Sequence, residues 1–367
     1  MYAFLCLWLM LATYAYWRLS HSSAWQWPLL FGLFAGLAQY TQNLAAFYLA
    51  ALALWPLISR NWAALKRVAL GTCLALLLYL PWLVHLPAQF ARIDRGYWVL
   101  RPDFYRLLVL PVIFVVNLPL PQTLLAPGLF IGLSVTALAL LRTFRAISQR
   151  QPNLQNGLWL LYLSFFPAIL LFLVSQWKPV YLERALLPSG AIFLVWVAWA
   201  LVEAQAINPL HILTAALVVL GFGMGLYEHV AVSGGIYGPF HAMIQDLESR
   251  RQAGDVIIHS NKLSMLPAVY FDRAIPETYV ADPPGSAEDT LAPATQQVLN
   301  LMSQPSIESA AAGADRIWFV IFDASNQEFV QAGYPRHPQL TWLMEHYTEI
   351  EQRNWDTMTV YLFEKAP

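Results

Sequence analysis

Residues 158–203 read LWLLYLSFFPAILLFLVSQWKPVYLERALLPSGAIFLVWVAWALVE, two apolar runs on either side of one short charged loop. A helix crosses the hydrocarbon layer of a membrane with about 20 apolar residues at 1.5 Å rise each. The runs 158–176 and 185–203 meet that length, and the loop between them carries Lys178, Glu183 and Arg184. Two cations and a carboxylate packed between apolar helices are costly unless they meet a partner or water. The stretch therefore predicts two membrane helices joined by a polar turn at one membrane face.

Working outward, the same signature recurs at 1–17, 25–40, 43–58, 66–86, 123–141 and 210–230, giving about eight spans. The runs 25–40 and 43–58 divide at Tyr40-Thr41-Gln42-Asn43, because a single span of over ~30 residues would be too long even when tilted. The turn Tyr40–Asn43 is either a third polar site or a simple capped turn, with Asn43 as N-cap of the helix that follows. The first run has no basic segment before it, so it reads as a span rather than a cleaved signal. Residues 107–122 are apolar but interrupted by Pro111, Pro119 and Pro121, and read as a segment lying along the outer leaflet. Trp and Tyr cluster near the span ends, as aromatic belts do.

Composition agrees. The 367 residues are 58% hydrophobic and 12% charged, with a mean hydropathy of +0.49. Soluble domains carry about 25% charged residues, so an ordinary soluble enzyme, a disordered protein and a nucleic-acid binder are excluded. The charge also divides the chain. Residues 1–235 hold 13 Lys/Arg and 5 Asp/Glu, whereas residues 236–367 hold 8 and 17. Two domains follow: an α-helical polytopic membrane domain over 1–235 and a small soluble α/β domain over 236–367. Cys6 and Cys73 both lie in apolar runs, and the tail has no cysteine to form a disulfide.

Within the tail, Asp255–His259, Arg316–Phe322 and Thr357–Phe363 read as strands, and 239–252, 294–303 and 338–347 as helices. Pro283-Pro284-Gly285-Ser286 reads as a loop. Lys/Arg bias assigns Arg18, Arg60, Lys66, Arg67, Arg142, Arg145 and Arg150 to the cytoplasmic side. The protein is then a multi-pass protein of the inner (plasma) membrane with an extracytoplasmic tail. The loop 88–106, with Arg92, Arg95, Arg101 and Arg106, must face outward against that rule, which an anionic ligand would explain.

No Walker loop, GxGxxG, HExxH or CxxC occurs, and the eight His stand singly, so no metal centre is predicted. The chemistry-bearing residues lie at the outer surface. Arg184, with Lys178, suits a lipid phosphate or pyrophosphate, because a guanidinium offers a forked donor set. The alternative is an internal Glu183–Arg184 pair with snorkelling ends. Arg92, Asp94, Arg95, Tyr97, Trp98, Arg101 and Asp103 combine cations, carboxylates and rings, as a sugar-phosphate site does and as any membrane-surface loop does. In the tail, Asp255, His259 and Asn261 lie at a strand end, either as ligand groups or as turn residues.

The run Met1-Tyr2-Ala3-Phe4-Leu5, the turn Tyr40–Asn43, the pair Pro81-Trp82, and Lys178-Pro179-Val180-Tyr181-Leu182-Glu183-Arg184-Ala185-Leu186-Leu187-Pro188 together resemble bacterial membrane glycosyltransferases of the C-type polytopic fold. The family is that of the dolichyl-phosphate-mannose protein mannosyltransferases and lipid A aminoarabinose transferases. The likeness covers most of residues 1–235 and rests on the order and spacing of short motifs. It implies inverting transfer of a sugar from a polyprenyl-phosphate carrier to a lipid, glycan or protein acceptor outside the membrane. It also implies donor-phosphate contacts at Arg184, Lys178, Tyr181, Glu183, Arg92 and Arg95. The family's catalytic carboxylate lies in an earlier outer loop, so the chain is expected to be the C-terminal part of a longer protein. Asp94 and Asp103 are the weak candidates within it. Ala185 stands where the family has Tyr, and Gln42 where it often has His. No cofactor is called for, and a need for a divalent metal stays open.

Two other classes compete. A transporter places broken helices or charges near mid-membrane, whereas here the polar groups gather at one face. A non-catalytic scaffold or sensor would fit a chain without an outer catalytic carboxylate.

Overall fold

The computed structural model describes residues 1–88, 99, 101–118, 120, 122–202, 209–231, 239–282, 290–291 and 293–365. The chain divides into two compact units, Met1–Glu228 and His229–Pro367.

In the first unit each of the eight apolar runs is a helix: α1 (Tyr2–His21), α2 (Gln26–Thr41), α3 (Ala45–Ile58), α4 (Trp62–Leu83), α7 (Gln122–Ser148), α8 (Leu154–Ser175), α9 (Leu187–Val202) and α10 (Pro209–Ala231). Two short helices lie between, α5 (Tyr105–Leu108) and α6 (Leu110–Val115), and a 3-10 turn, Glu183–Leu186, leads into α9. Five helices among the described residues are long and apolar enough to cross a membrane: Trp62–Leu83, Gln122–Ser148, Leu154–Ser175, Glu183–Val202 and Pro209–Val230. Helices α2 and α3, at 16 and 14 residues, fall below that length.

Between apolar helices in lipid, close packing and hydrogen bonds replace the hydrophobic drive. At the α2–α4 crossing Gly32 and Gly36 face Gly71 and Ala75 in small-xxx-small spacing. A Cβ on Gly32 would come within 2.6 Å of the Gly71 carbonyl, and one on Gly71 within 2.6 Å of the Pro28 carbonyl. Elsewhere the buried Trp196 indole donates to the Thr143 hydroxyl at 3.2 Å, and Thr13 and Tyr48 share a hydrogen bond at 2.9 Å.

The segment at 107–116 differs from its expected place on the outer leaflet. Leu110, Val112, Val115 and Val116 are all 2% exposed or less. Glycines on two other helices admit its backbone: a Cβ on Gly132 would meet Val112 Cα at 2.8 Å, and one on Gly225 the Val116 carbonyl at 2.2 Å. Pro111 at the first turn of α6 separates it from α5, and small residues on α7 and α10 bury the second piece.

The second unit is one six-stranded mixed sheet in the order β3-β2-β1-β4-β6-β5. Its strands are β1 (Val256–His259), β2 (Glu277–Val280), β3 (Ser303–Gln304), β4 (Arg316–Phe322), β5 (Tyr347–Trp355) and β6 (Met358–Lys365). β1 to β4 run parallel, and β6 pairs antiparallel with both β4 and β5. Helices α11 (Phe240–Arg250), α12 (Lys262–Phe271), α13 (Pro293–Leu299), α14 (Ile307–Ala310), α15 (Asp323–Gln331) and α16 (Pro338–His346) connect or flank the strands. The helix expected over 294–303 ends at Leu299, and Ser303 already lies in β3. Opposite faces of the sheet are apolar: Phe240, Met243, Ile257 and Trp318 pack on one, Ile258, Phe319, Leu343 and Phe363 on the other. The expected loop at 283–286 lies outside the described residues.

Candidate functional site

Alternation of the helices brings the turns 41–45 and 176–186 to one end of the first unit. Leu44 and Phe47, just after the Tyr40–Asn43 turn, pack in one apolar cluster with Tyr181, Leu186, Leu110 and Phe172. On the other side of this cluster, the Gln176 amide donates to the Pro102 carbonyl at 3.1 Å, tying the loop after α8 to the segment that opens α5.

The predicted donor-phosphate residues of this loop are thus brought together. Tyr181 is buried, its ring edge-on to Phe172 at 6.4 Å, and its hydroxyl has no hydrogen-bond partner among the described residues. Burial pushes the phenol pKa up, the Glu183 charge adds to that, and the Arg106 charge opposes it, so the group stays a neutral donor. Lys178 is half-buried and Arg184 exposed. Glu183 pairs with Arg106 at 2.5 Å. This corrects the alternative reading of a Glu183–Arg184 pair, because α5 delivers the partner guanidinium from 77 residues away in sequence. Arg184 makes no ion pair among the described residues and faces outward from the 3-10 turn.

What sequence reading missed is the tie between Arg106 and this loop. Arg106 was one of four arginines in a loop expected to face outward, and nothing local marks it as Glu183's partner. Of the weak catalytic candidates, Asp103 is exposed and its carboxylate accepts the Arg106 backbone N–H at 3.2 Å, capping the turn into α5. Arg92, Asp94 and Arg95 lie outside the described residues, as do Tyr97 and Trp98.

At the neighbouring turn, Asn43 is not the N-cap of α3. Leu44 holds that position without a side-chain cap, and the Asn43 side-chain Oδ1 instead accepts the Tyr79 hydroxyl from α4. Tyr40 donates to the Leu78 carbonyl at 2.8 Å, and its ring meets Tyr79 edge-on at 5.3 Å. The turn is thereby pinned to the end of the Pro81-containing helix.

In the second unit two of the three tail residues, Asp255 and Asn261, have structural work. Asp255 accepts from the Gln252 backbone and the Trp318 indole, and lies 3.3 Å from Arg316. Asn261 N-caps α12 through Leu263 N at 2.9 Å. His259 is buried 3.4 Å from the equally buried Glu277. No group of three His, Cys, Asp or Glu suited to a metal occurs among the described residues.

The architecture defined by these units is that of a multi-pass helical membrane protein carrying a mixed α/β unit. No family model matches the chain, and no curated protein matches it. Among solved structures it is similar to ArnT from Cupriavidus metallidurans in the apo state, with a TM-score of 0.58 and 13% identity over 98% of this chain and 73% of that one. Likewise it is similar to ArnT bound to undecaprenyl phosphate, with a TM-score of 0.53 and 13% identity over 98% and 72%. At this identity the likeness is one of fold.

Proposed function

We propose that this protein is a membrane glycosyltransferase, or the C-terminal part of one, moving a sugar from a polyprenyl-phosphate carrier to an acceptor on the extracytoplasmic side. The observation that carries this reading is the convergence of Lys178, Arg184 and the Arg106–Glu183 pair around buried Tyr181 at one end of an ArnT-like helical unit. One of the structures sharing that fold was solved with undecaprenyl phosphate.

An inverting transfer needs a base beside the acceptor hydroxyl and cations that stabilise the phosphate as it departs. Arg184 and Lys178 meet the second need, with Tyr181 as a neutral hydrogen-bond donor behind them. The loop bearing Arg92 and Arg95 is proposed as a further source of cations. Asp94 and Asp103 remain the candidate carboxylates within this chain.

In this reading the protein sits in the inner membrane of a cell envelope, with α1, α2 and α3 completing about eight spans and the mixed sheet outside. A reporter fused after Pro367 checks the topology; activity confined to the cytoplasm would refute it. For function, the native protein is reconstituted with polyprenyl-phosphate sugars and envelope acceptors, and release of the carrier phosphate is followed. Release that requires the acceptor is expected. A well-folded preparation that binds no polyprenyl phosphate sinks the proposal.

A further inference from the structure

Helix α12, Lys262–Phe271, is apolar on both of its faces. Ser264, Met265 and Ala268 are buried on the inward side. Leu263, Leu266, Pro267 and Tyr270 follow the i, i+3, i+4, i+7 spacing of a single opposite stripe. The two ends of that stripe are open to water, Tyr270 at 83% exposed and Leu263 at 45%, and Leu266 and Pro267 between them are half-buried. Phe271 extends it at 47% exposure, with its ring 5.4 Å from His241 on α11. A helix that is apolar all round normally lies in a core or against lipid, and an apolar patch of this kind marks a partner or membrane surface.

The chain itself says which. Helix α10 is long and apolar enough to cross a membrane and ends at Ala231. Pro239 caps α11, the helix whose His241 touches Phe271. Eight residues of chain reach at most roughly 29 Å, so α11 and the adjoining end of α12 are held within reach of the bilayer surface. The side chains fit that surface. Tyr and Phe favour the headgroup level, and Lys262 opens the stripe as a cation does on interfacial helices.

We propose that the Leu263–Tyr270 face of α12 docks on the headgroup layer of the bilayer that the helical unit spans. The inference rests on the chain spanning a membrane and involves no transferase chemistry, so a failed transfer assay leaves it untouched. The test uses the full chain in lipid nanodiscs, with Cys6 and Cys73 replaced by Ala and an environment-sensitive fluorophore placed at Tyr270→Cys. Leu263→Cys repeats the reading, and Glu328→Cys, on exposed α15, is the control. The expected result is a blue shift and a loss of intensity with doxyl-labelled phospholipid at 270 and 263, and neither at 328. Solvent-like, unquenched emission at 270 and 263 overturns the proposal. So does protection that needs two copies per disc, or a cross-link from position 270 to the chain's own helical unit, because each makes the occupant a protein.

Discussion

The two ends of the helical unit use arginine in opposite ways. At one end Arg67 reaches back to the carbonyls of Leu19 and Ser22, closing the α1–α2 turn, and Arg18 lies over the Trp27 ring at 4.5 Å and donates to the Tyr14 hydroxyl at 3.1 Å. These cations are satisfied by the fold. At the other end Arg106 is held by Glu183, while Arg184, one residue on, is exposed with no ion pair among the described residues. Charge counting assigns both ends the same kind of residue. What separates a structural cation from one proposed to bind ligand is whether the protein already supplies its anion or carbonyls.

The largest effect that this contrast predicts is on stability. Arg67→Ala leaves the Leu19 and Ser22 carbonyls without a charged donor. Hydrogen bonds to charged groups contribute about 1.5–3 kcal/mol each, and two are lost at a half-buried site, so a loss of roughly 3 kcal/mol is expected. Thermal unfolding of the full chain in nanodiscs measures it, and polyprenyl-phosphate affinity in the folded variant should stay unchanged. A stable Arg67→Ala that binds lipid phosphate poorly would erase the distinction between the ends.

The converse variant is Arg184→Ala. Its side chain holds nothing of the fold among the described residues, so the melting temperature should stay within the range of neutral surface changes. Losing one guanidinium–phosphate contact, worth about 1.5–3 kcal/mol, should weaken polyprenyl-phosphate binding about tenfold to a hundredfold. Isothermal titration in detergent reads it. Wild-type affinity in this variant would remove Arg184 from the site.

How much of this was legible depended on range. The eight helices could be read because hydropathy is a local property, and β1, β4 and β6 because each is a β-branched or aromatic run. Strand β5, YTEIEQRNW, could not: it is a polar edge strand, mostly exposed, with Glu349, Glu351 and Arg353 along it. Charged edges protect a sheet from further pairing, and they also hide the strand from a hydrophobic pattern. The 107–116 segment was misread because its burial is decided by Gly132 and Gly225 on other helices. The charged loop at 178–184 was visible as a candidate site. Its closest ion pair was not, because Arg106 lies 77 residues away.

The smallest predicted effect sharpens the comparison at its centre. The Arg106 and Glu183 side chains are 56% and 27% exposed, and an ion pair so open to water contributes about 0–1 kcal/mol. Glu183→Gln should therefore leave thermal stability nearly unchanged. Its effect on ligand should be opposite in sign to that of Arg184→Ala. The substitution removes a negative charge beside the proposed phosphate and frees the Arg106 guanidinium, so polyprenyl phosphate should bind a few-fold more tightly. Because these groups are partly exposed, that gain should shrink as salt shortens the screening length from about 10 Å at 0.1 M. Titrations at two ionic strengths measure both the sign and its decay. Weaker binding in Glu183→Gln would mean that the carboxylate's task is to hold Arg106 where the phosphate needs it. The pair would then belong with the structural arginines of the opposite end, and Arg184 alone would carry the contrast.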